Sequence, residues 1–384
     1  MAQGNTTFQI SKKWFNWVVD IEEGNANQTL PPEKRLRVGV VGGGDIGMHN
    51  AESVRAAPAA VVAAVCDRNY AILRDFEKQF ESPATPEYED LLKRSDINAI
   101  LLSVPHALHA PLAIQAAQAG KHVLLEKPLG VNLQDATEIV AACRQAKVRL
   151  SVNLSFRYQP AVQLARRLIH DGALGDIFGI QINHLMFKGG GYWAGGFTGR
   201  ASGAWRASKE KAGGGILILQ VCHAIDYLRY CTGLEVKRVF SEYGTFASPG
   251  DIEDAIAVTL QYDNGAIGSI TASSHWRAQP LVDLRIWGTH GALRLEGTQK
   301  LSFWSSRRWH NLPAGKEHHL DKFPQVDYTA QWIQNFAEAT AADEPHEITD
   351  KDGWINNAVI EAAYQSRDTG QAVEVPPFPW EQAS

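Results

Sequence analysis

The short run "HVLLEKPLG" (residues 122 to 130) places three apolar residues, Val123, Leu124 and Leu125, directly before Glu126, Lys127 and Pro128. A buried strand cannot pass through Pro128, so Lys127 falls at its carboxyl end. An ammonium there can stabilise negative charge that builds on a substrate oxygen. A second run, "RVGVVGGGDIGMHN", sets Gly42, Gly44 and Gly47 in a G-x-G-x-x-G spacing directly after an apolar strand pattern and before a helical one. Such glycines permit a tight turn and let backbone N–H groups approach a pyrophosphate at a helix start. Asp67 closes the next strand-like run, twenty residues after Gly47, where a carboxylate meets the hydroxyls of an adenosine ribose. His223, in "GGGILILQVCHAIDYLRY", can exchange a proton near neutral pH. From the residues alone it reads better as a core histidine held by Asp226 three positions on.

The loop "KGGGYWAGGFTGRASGAWRASKEK" (188 to 211) is the expected substrate side. Tyr192, Trp193, Phe197 and Trp205 can lie against the apolar face of a sugar ring. Lys188, Arg200, Arg206 and Lys209 can meet a carboxylate or phosphate. The same aromatics can instead anchor the loop to the body of the protein. His318-His319 has only Glu317 beside it, with no cysteine or carboxylate set, so no metal site is expected.

These residues need a frame. The runs "LRVGVV", "VVAAVC", "NAILLSV", "HVLLE" and "VRLSVN" alternate with helical stretches at 69 to 80, 108 to 119 and 132 to 145. This alternation predicts a doubly wound parallel sheet over 36 to 153. Ligands bind such sheets at the carboxyl ends of the strands. "SVPHALH" and "EKP" both begin at such ends, so Pro105, His106, Glu126 and Lys127 are expected to border the cofactor, with Asp45, Ile46 and Arg68 beside the glycine turn. After residue 154 a helical stretch (160 to 171) precedes several β-type runs between 235 and 304. Asn264-Gly265 marks a hairpin, and two more helices are expected near 327 to 341 and 354 to 367. The second half, 154 to 384, therefore reads as an α+β domain with a largely antiparallel sheet.

The chain has 384 residues, 42 acidic against 37 basic, for a net charge of -5. No basic stripe suggests nucleic acid, and no apolar stretch reaches the roughly 20 residues of a membrane helix. The four cysteines form no CxxC pair, which suits a reduced compartment such as the cytoplasm. Residues 1 to 35 read as an arm and linker. Ile10, Trp14, Trp17, Val18 and Ile21 fall on one face if 11 to 23 are helical, a face suited to packing on the body or on another subunit. No signal peptide is legible there.

The segments "RVGVVGGGDIGMHN" and "VPHALHAPLAIQAAQAGKHVLLEKPLG" together resemble the glucose–fructose oxidoreductase / inositol dehydrogenase (Gfo/Idh/MocA) family over roughly residues 36 to 375. The resemblance implies a Rossmann domain followed by an open-faced, mainly antiparallel sheet domain. It also implies NAD(P)-linked hydride exchange with a CH–OH group of a sugar, sugar derivative or cyclitol, and a homodimer or homotetramer pairing through the open sheet. Lys127 matches the family lysine that touches both substrate hydroxyl and cofactor. His109 matches the histidine of the TPNxxH-like segment, with His106 at the family's asparagine. His223 matches the acid/base histidine, and Arg157 in "LSFRYQP" matches an arginine near the crevice. The family aspartate four residues before that histidine is here Leu219, and Val221-Cys222 stands where a glycine and a variable residue precede it. Asp67 favours NAD, because a 2′-phosphate would meet its negative charge, while Arg68 leaves NADP possible. Two other readings stay open: an enzyme that reduces and re-oxidises its nicotinamide within one turnover, as in NAD-using glycoside hydrolases, and a nucleotide-sensing regulator.

Overall fold

The protein is described by a computed structural model over residues 29–196, 198–200 and 203–381. The expected helix over 11 to 23 and Phe197 lie outside the described residues.

Six short apolar runs form one parallel sheet: β1 (Leu36–Val41), β2 (Ala60–Cys66), β3 (Ala84–Thr85), β4 (Ala99–Leu102), β5 (His122–Leu125) and β6 (Leu150–Val152). Their order is β3-β2-β1-β4-β5-β6. Every residue of β4 is buried, as is every residue of β5 except His122, because helices cover both faces of such a sheet. The helices Asp45–Ala56, Tyr70–Phe80, His109–Gln118 and Leu133–Gln145 supply the connections. The order reverses between β1 and β4, and that switch point is where a doubly wound sheet opens its ligand crevice. The two-residue strand β3 and the helix Tyr88–Lys93 are too short to leave a periodic pattern in the sequence.

The second sheet has nine strands: β7 (Ile177–Leu185), β8 (Val236–Gly244), β9 (Ala255–Tyr262), β10 (Ile267–Ser273), β11 (Leu281–Gly288), β12 (Gly291–Glu296), β13 (Lys300–Ser305), β14 (Glu317–Leu320) and β15 (Val373–Glu374). Their order is β14-β13-β12-β11-β7-β10-β9-β8-β15, antiparallel except where β10 meets β7. Asn264-Gly265 turns β9 into β10, with Gly265 at φ +87°. Along β9, Ile256, Val258, Leu260 and Tyr262 are buried while Ala257, Thr259 and Gln261 are exposed, so one face is covered and the other open. The helices Pro160–His170 and Asp350–Thr369 cover the first face, with Cys222–Thr232 packed against both of them. On the open face the register aligns Ile267, Gly179, Trp287, Ala292 and Trp304 in a row across five strands. The expected architecture, a Rossmann sheet plus an α+β unit with an open, mainly antiparallel sheet, is the one observed.

The last two helices bridge the two sheets. Tyr328–Ala342 packs on Asp45–Ala56, and Asp350–Thr369 packs on both β8 and Leu133–Gln145. Their side chains meet the parallel sheet's backbone and side chains. Gln334 accepts from the Ala59 amide, Trp332 donates to the Ser151 hydroxyl, and Asn357 donates to the Gly130 carbonyl.

Candidate active site

The glycine turn forms because its backbone passes where a side chain has no room. Gly42 has φ +89°, and a Cβ there would lie 2.4 Å from the Ser103 carbonyl oxygen. A Cβ at Gly47 would lie 1.7 Å from the Gly42 oxygen, so Gly47 serves close packing of the helix on the turn and does not line the cavity. Gly44 is the N-cap of Asp45–Ala56 and offers no side-chain cap, leaving the helix start facing a cavity lined by Gly42, Gly44, Asp45 and Ile46. Asp67, at the end of β2, braces this turn. Its carboxylate accepts from the Gly43 amide at 2.7 Å and from the Asn69 amide at 2.8 Å, and each oxygen retains a lone pair for a ribose hydroxyl. Arg68, Glu87 and Glu89 line the same end. The cavity measures about 1020 Å³, enough for a dinucleotide and a small second molecule.

Pro105 and His106, after β4, and Glu126 and Lys127, after β5, line the middle of this cavity. The Glu126 carboxylate accepts from Asn50 at 2.8 Å and Asn153 at 2.7 Å. Two amides thus hold it at the lip of the sheet. Lys127 turns the other way and donates to the Leu219 carbonyl at 2.6 Å. His106 is fixed at 2.8 Å from the Ala212 carbonyl and lies edge-on to Trp205. Burial, helped by His109 and Lys127, holds it well below the ordinary histidine range. His109 is fully buried between the Pro128 and Val104 carbonyls at 2.8 and 3.2 Å. It ties the two strand ends together and does not reach the cavity.

His223 arrives from a helix that starts in the protein interior. The amides of Gly215 and Leu217 donate to the Glu253 carboxylate at 2.5 and 3.0 Å, and Tyr364 donates to it at 3.0 Å. Residues Leu217–Val221 then form a π-helical turn before the α-helix Cys222–Thr232, a wide turn of the kind often found at functional sites. It presents Leu219, Gln220 and His223 to the cavity together. Leu219 thus contributes its backbone oxygen, to Lys127, at the position where the family pattern has a carboxylate. The His223 ring stacks on Phe156, with centroids 4.3 Å apart, and its Nδ1 has no hydrogen-bond partner. Burial first, then the charge of Lys127 and the neighbouring His184, hold its pKa well below the ordinary value. The ring is therefore neutral at physiological pH and able to accept a proton.

The loop after β7 closes one side. Tyr192, Trp205 and Arg206 line the cavity. Gln220 donates to the Tyr192 hydroxyl at 3.1 Å, and the Arg206 guanidinium lies 4.5 Å from the Trp205 ring centroid. Thr198 donates its amide and hydroxyl to Asp45, and Arg200 donates to the Gly43 carbonyl at 3.0 Å, so this loop clasps the glycine turn. Trp193 is buried away from the cavity, its indole donating to the Lys188 carbonyl at 3.1 Å; it anchors the loop.

Arg157 is not brought to the cavity. It is buried and pairs with Asp226 at 2.5 Å and Asp352 at 2.9 Å, tying the Cys222–Thr232 helix to the start of Asp350–Thr369. Asp226 is consequently the partner of Arg157 rather than of His223. Several lining residues escaped the motif reading: His184, Gln220, Phe156, Tyr328, Asn50 and Asn153. For His184 a signal existed. In "IQINHL" it shares strand parity with Ile180 and Ile182, a polar residue in a core-facing register.

Two family models match this chain: an oxidoreductase family with an NAD-binding Rossmann fold over residues 36–154, and the GFO/IDH/MocA C-terminal domain over residues 162–294. The chain belongs to the Gfo/Idh/MocA oxidoreductase family. It is 30% identical over 247 residues to trans-1,2-dihydrobenzene-1,2-diol dehydrogenase of Mus musculus, covering 62% of this chain and 68% of that one. It is 28% identical over 366 residues to scyllo-inositol 2-dehydrogenase (NAD(+)) of Bacillus subtilis, covering 89% and 97%. Its fold is similar to that of levoglucosan dehydrogenase in complex with NADH and levoglucosan, with a TM-score of 0.79 and 23% identity over 89% of this chain and all of that one. The family's cofactor is NAD, and the glycine turn, open helix start and Asp67 fit it.

Proposed function

We propose that this protein is an NAD-dependent dehydrogenase that exchanges a hydride with a CH–OH or C=O group of a sugar, sugar derivative or cyclitol. The observation that carries this reading is that Lys127 and His223 face the same cavity as the glycine turn and Asp67. Bound NAD supplies the hydride acceptor. In the oxidising direction the carbinol carbon gives up a hydride and its hydroxyl gives up a proton. The neutral His223 imidazole takes that proton, and the Lys127 ammonium steadies the oxygen as charge develops. Phe156 fixes the imidazole by stacking, and Gln220 and Tyr192 offer amide and hydroxyl groups to a polyol. Sugar and cyclitol substrates are supported by the relatives named above. NAD rather than NADP is supported by Asp67, Glu87 and Glu89 at the adenosine end, which would repel a 2′-phosphate. We assign no catalytic part to Arg157, Trp193 or His109.

A homodimer or homotetramer through the nine-stranded sheet is supported by its uncovered face, where Ile267 is 67% exposed and Trp304 and Phe240 are also exposed. Cytoplasmic location is supported by four free, buried cysteines. Among the described residues no helix is long and apolar enough to cross a membrane.

The test is NADH formation by the purified protein with NAD or NADP and a panel of inositols, aldoses, anhydrosugars and sugar acids. The reading expects net NADH from at least one polyol and a preference for NAD. Tight cofactor binding with no net reduction by any of them would replace it with a redox-neutral or sensing role.

A further inference from the structure

His184 is a second imidazole in the cavity that neither the motifs nor the mechanism above employs. It sits near the end of β7, on the helix-covered face, where Ile180 and Ile182 before it are core residues. The strand delivers it to the cavity beside Met186 and Val282. His184 is only 8% exposed, yet neither Nδ1 nor Nε2 has a hydrogen-bond partner. A buried polar atom left unpaired is costly, and this ring has two. The Lys127, Lys188 and His223 side chains lie near enough to oppose a positive charge on it. Burial, with those two lysines, brings its pKa down to about 4, so it stays neutral, with one N–H and one bare nitrogen.

A hydroxyl can accept from the first or donate to the second; a hydrocarbon can do neither. The reacting oxygen is already served by Lys127 and His223. We propose that His184 hydrogen-bonds a second hydroxyl of the substrate, distinct from the one oxidised, and thereby selects polyols over simple secondary alcohols. The proposal rests on the dehydrogenase reading and names the feature its substrate must carry.

The test compares wild type with His184→Phe, which removes both polar atoms, and His184→Gln, which restores a donor and an acceptor. kcat/KM for NAD-dependent oxidation is measured on the best polyol of the panel and on its complete monodeoxy series. On the parent polyol His184→Phe is expected to lose about 10²-fold or more, and His184→Gln to recover much of it. One monodeoxy compound should react poorly with wild type and no worse with His184→Phe. An unchanged kcat/KM on the parent, or the same loss on every member of the series, overturns the proposal, since a merely structural histidine would affect all alike. If His184→Phe does not fold, His184→Asn replaces it in the comparison. If wild type forms no NADH from any polyol, the dehydrogenase reading has failed, and binding decides the matter for His184. NADH-loaded protein is titrated with myo-inositol and with levoglucosan by cofactor fluorescence. Weaker binding to His184→Phe sustains the role; indistinguishable titrations overturn it.

Discussion

Lys127 touches protein through a single described hydrogen bond from its ammonium, to the Leu219 carbonyl. Lys127→Met keeps the length of the stem and removes the charge. Cofactor affinity is expected to persist while hydride transfer, measured in a single turnover, falls by about 10²–10³-fold, the usual loss when one charge-stabilising donor goes. An active variant would reduce Lys127 to a tether between β5 and the π-helical turn. Asp67 does two jobs: it holds the Gly43 and Asn69 amides and presents a carboxylate to the ribose. Asp67→Ser is therefore expected to weaken NAD and strengthen NADP at once. Isothermal titration with both cofactors checks this, and equal wild-type affinities would remove the discriminating role.

The helices and turns that aim these residues depend on buried ionic joints. Arg157 sits between Asp226 and Asp352. Burial raises the pKa of Asp352, but Arg157 and Arg229 outweigh it and hold the carboxyl at about 2. Arg157→Met leaves two buried carboxylates short of a partner. It is expected to cost about 3–5 kcal/mol in urea unfolding while leaving KM for the polyol near wild type; a normal melting profile with a raised KM would instead mark Arg157 as a substrate ligand. This joint also shows what the sequence conceals. The glycine turn, Asp67 and Lys127 were legible because each lies within one strand–turn–helix unit whose spacing is fixed locally. Arg157 could not be assigned that way, because Asp352 enters from a helix near the other end of the chain. The π-helical turn was equally hidden, since "LILQV" is an apolar run that an α-helix would accommodate as well. His184 lay in plain view in its strand, but parity makes a polar residue in a core register conspicuous only once the covered face is known.

Across the whole molecule, burial lowers the pKa of several histidines. His109 and His184 each fall from 6.5 to about 4. Below pH 6.5 the folded protein then binds fewer protons than the unfolded chain, so their contribution is full above that pH and lost as pH falls toward 4. Each amounts to about 3 kcal/mol once lost entirely. Thermal melts from pH 7.5 to 4.5 are expected to show a progressive fall in Tm that starts near 6.5. A flat profile over that range would mean that these rings titrate in the fold as they do in the unfolded chain. On the open face, Ile267→Glu places a charge at the far end of the row that runs to Trp304. It is expected to reduce the assembly to monomers by light scattering without altering cofactor affinity, and an unchanged mass would move the interface elsewhere.

The two bridging helices carry a consequence for biosynthesis. The parallel sheet is translated early, yet the Ala59 amide, the Ser151 hydroxyl and the Gly130 carbonyl find partners in Gln334, Ile348, Trp332 and Asn357, all made much later. While the ribosome is still making the nine-stranded sheet, the nucleotide-binding layer waits with part of its surface uncovered. The nascent chain closes its first-made half with its last-made helices, so a product that stops short of them leaves that surface exposed.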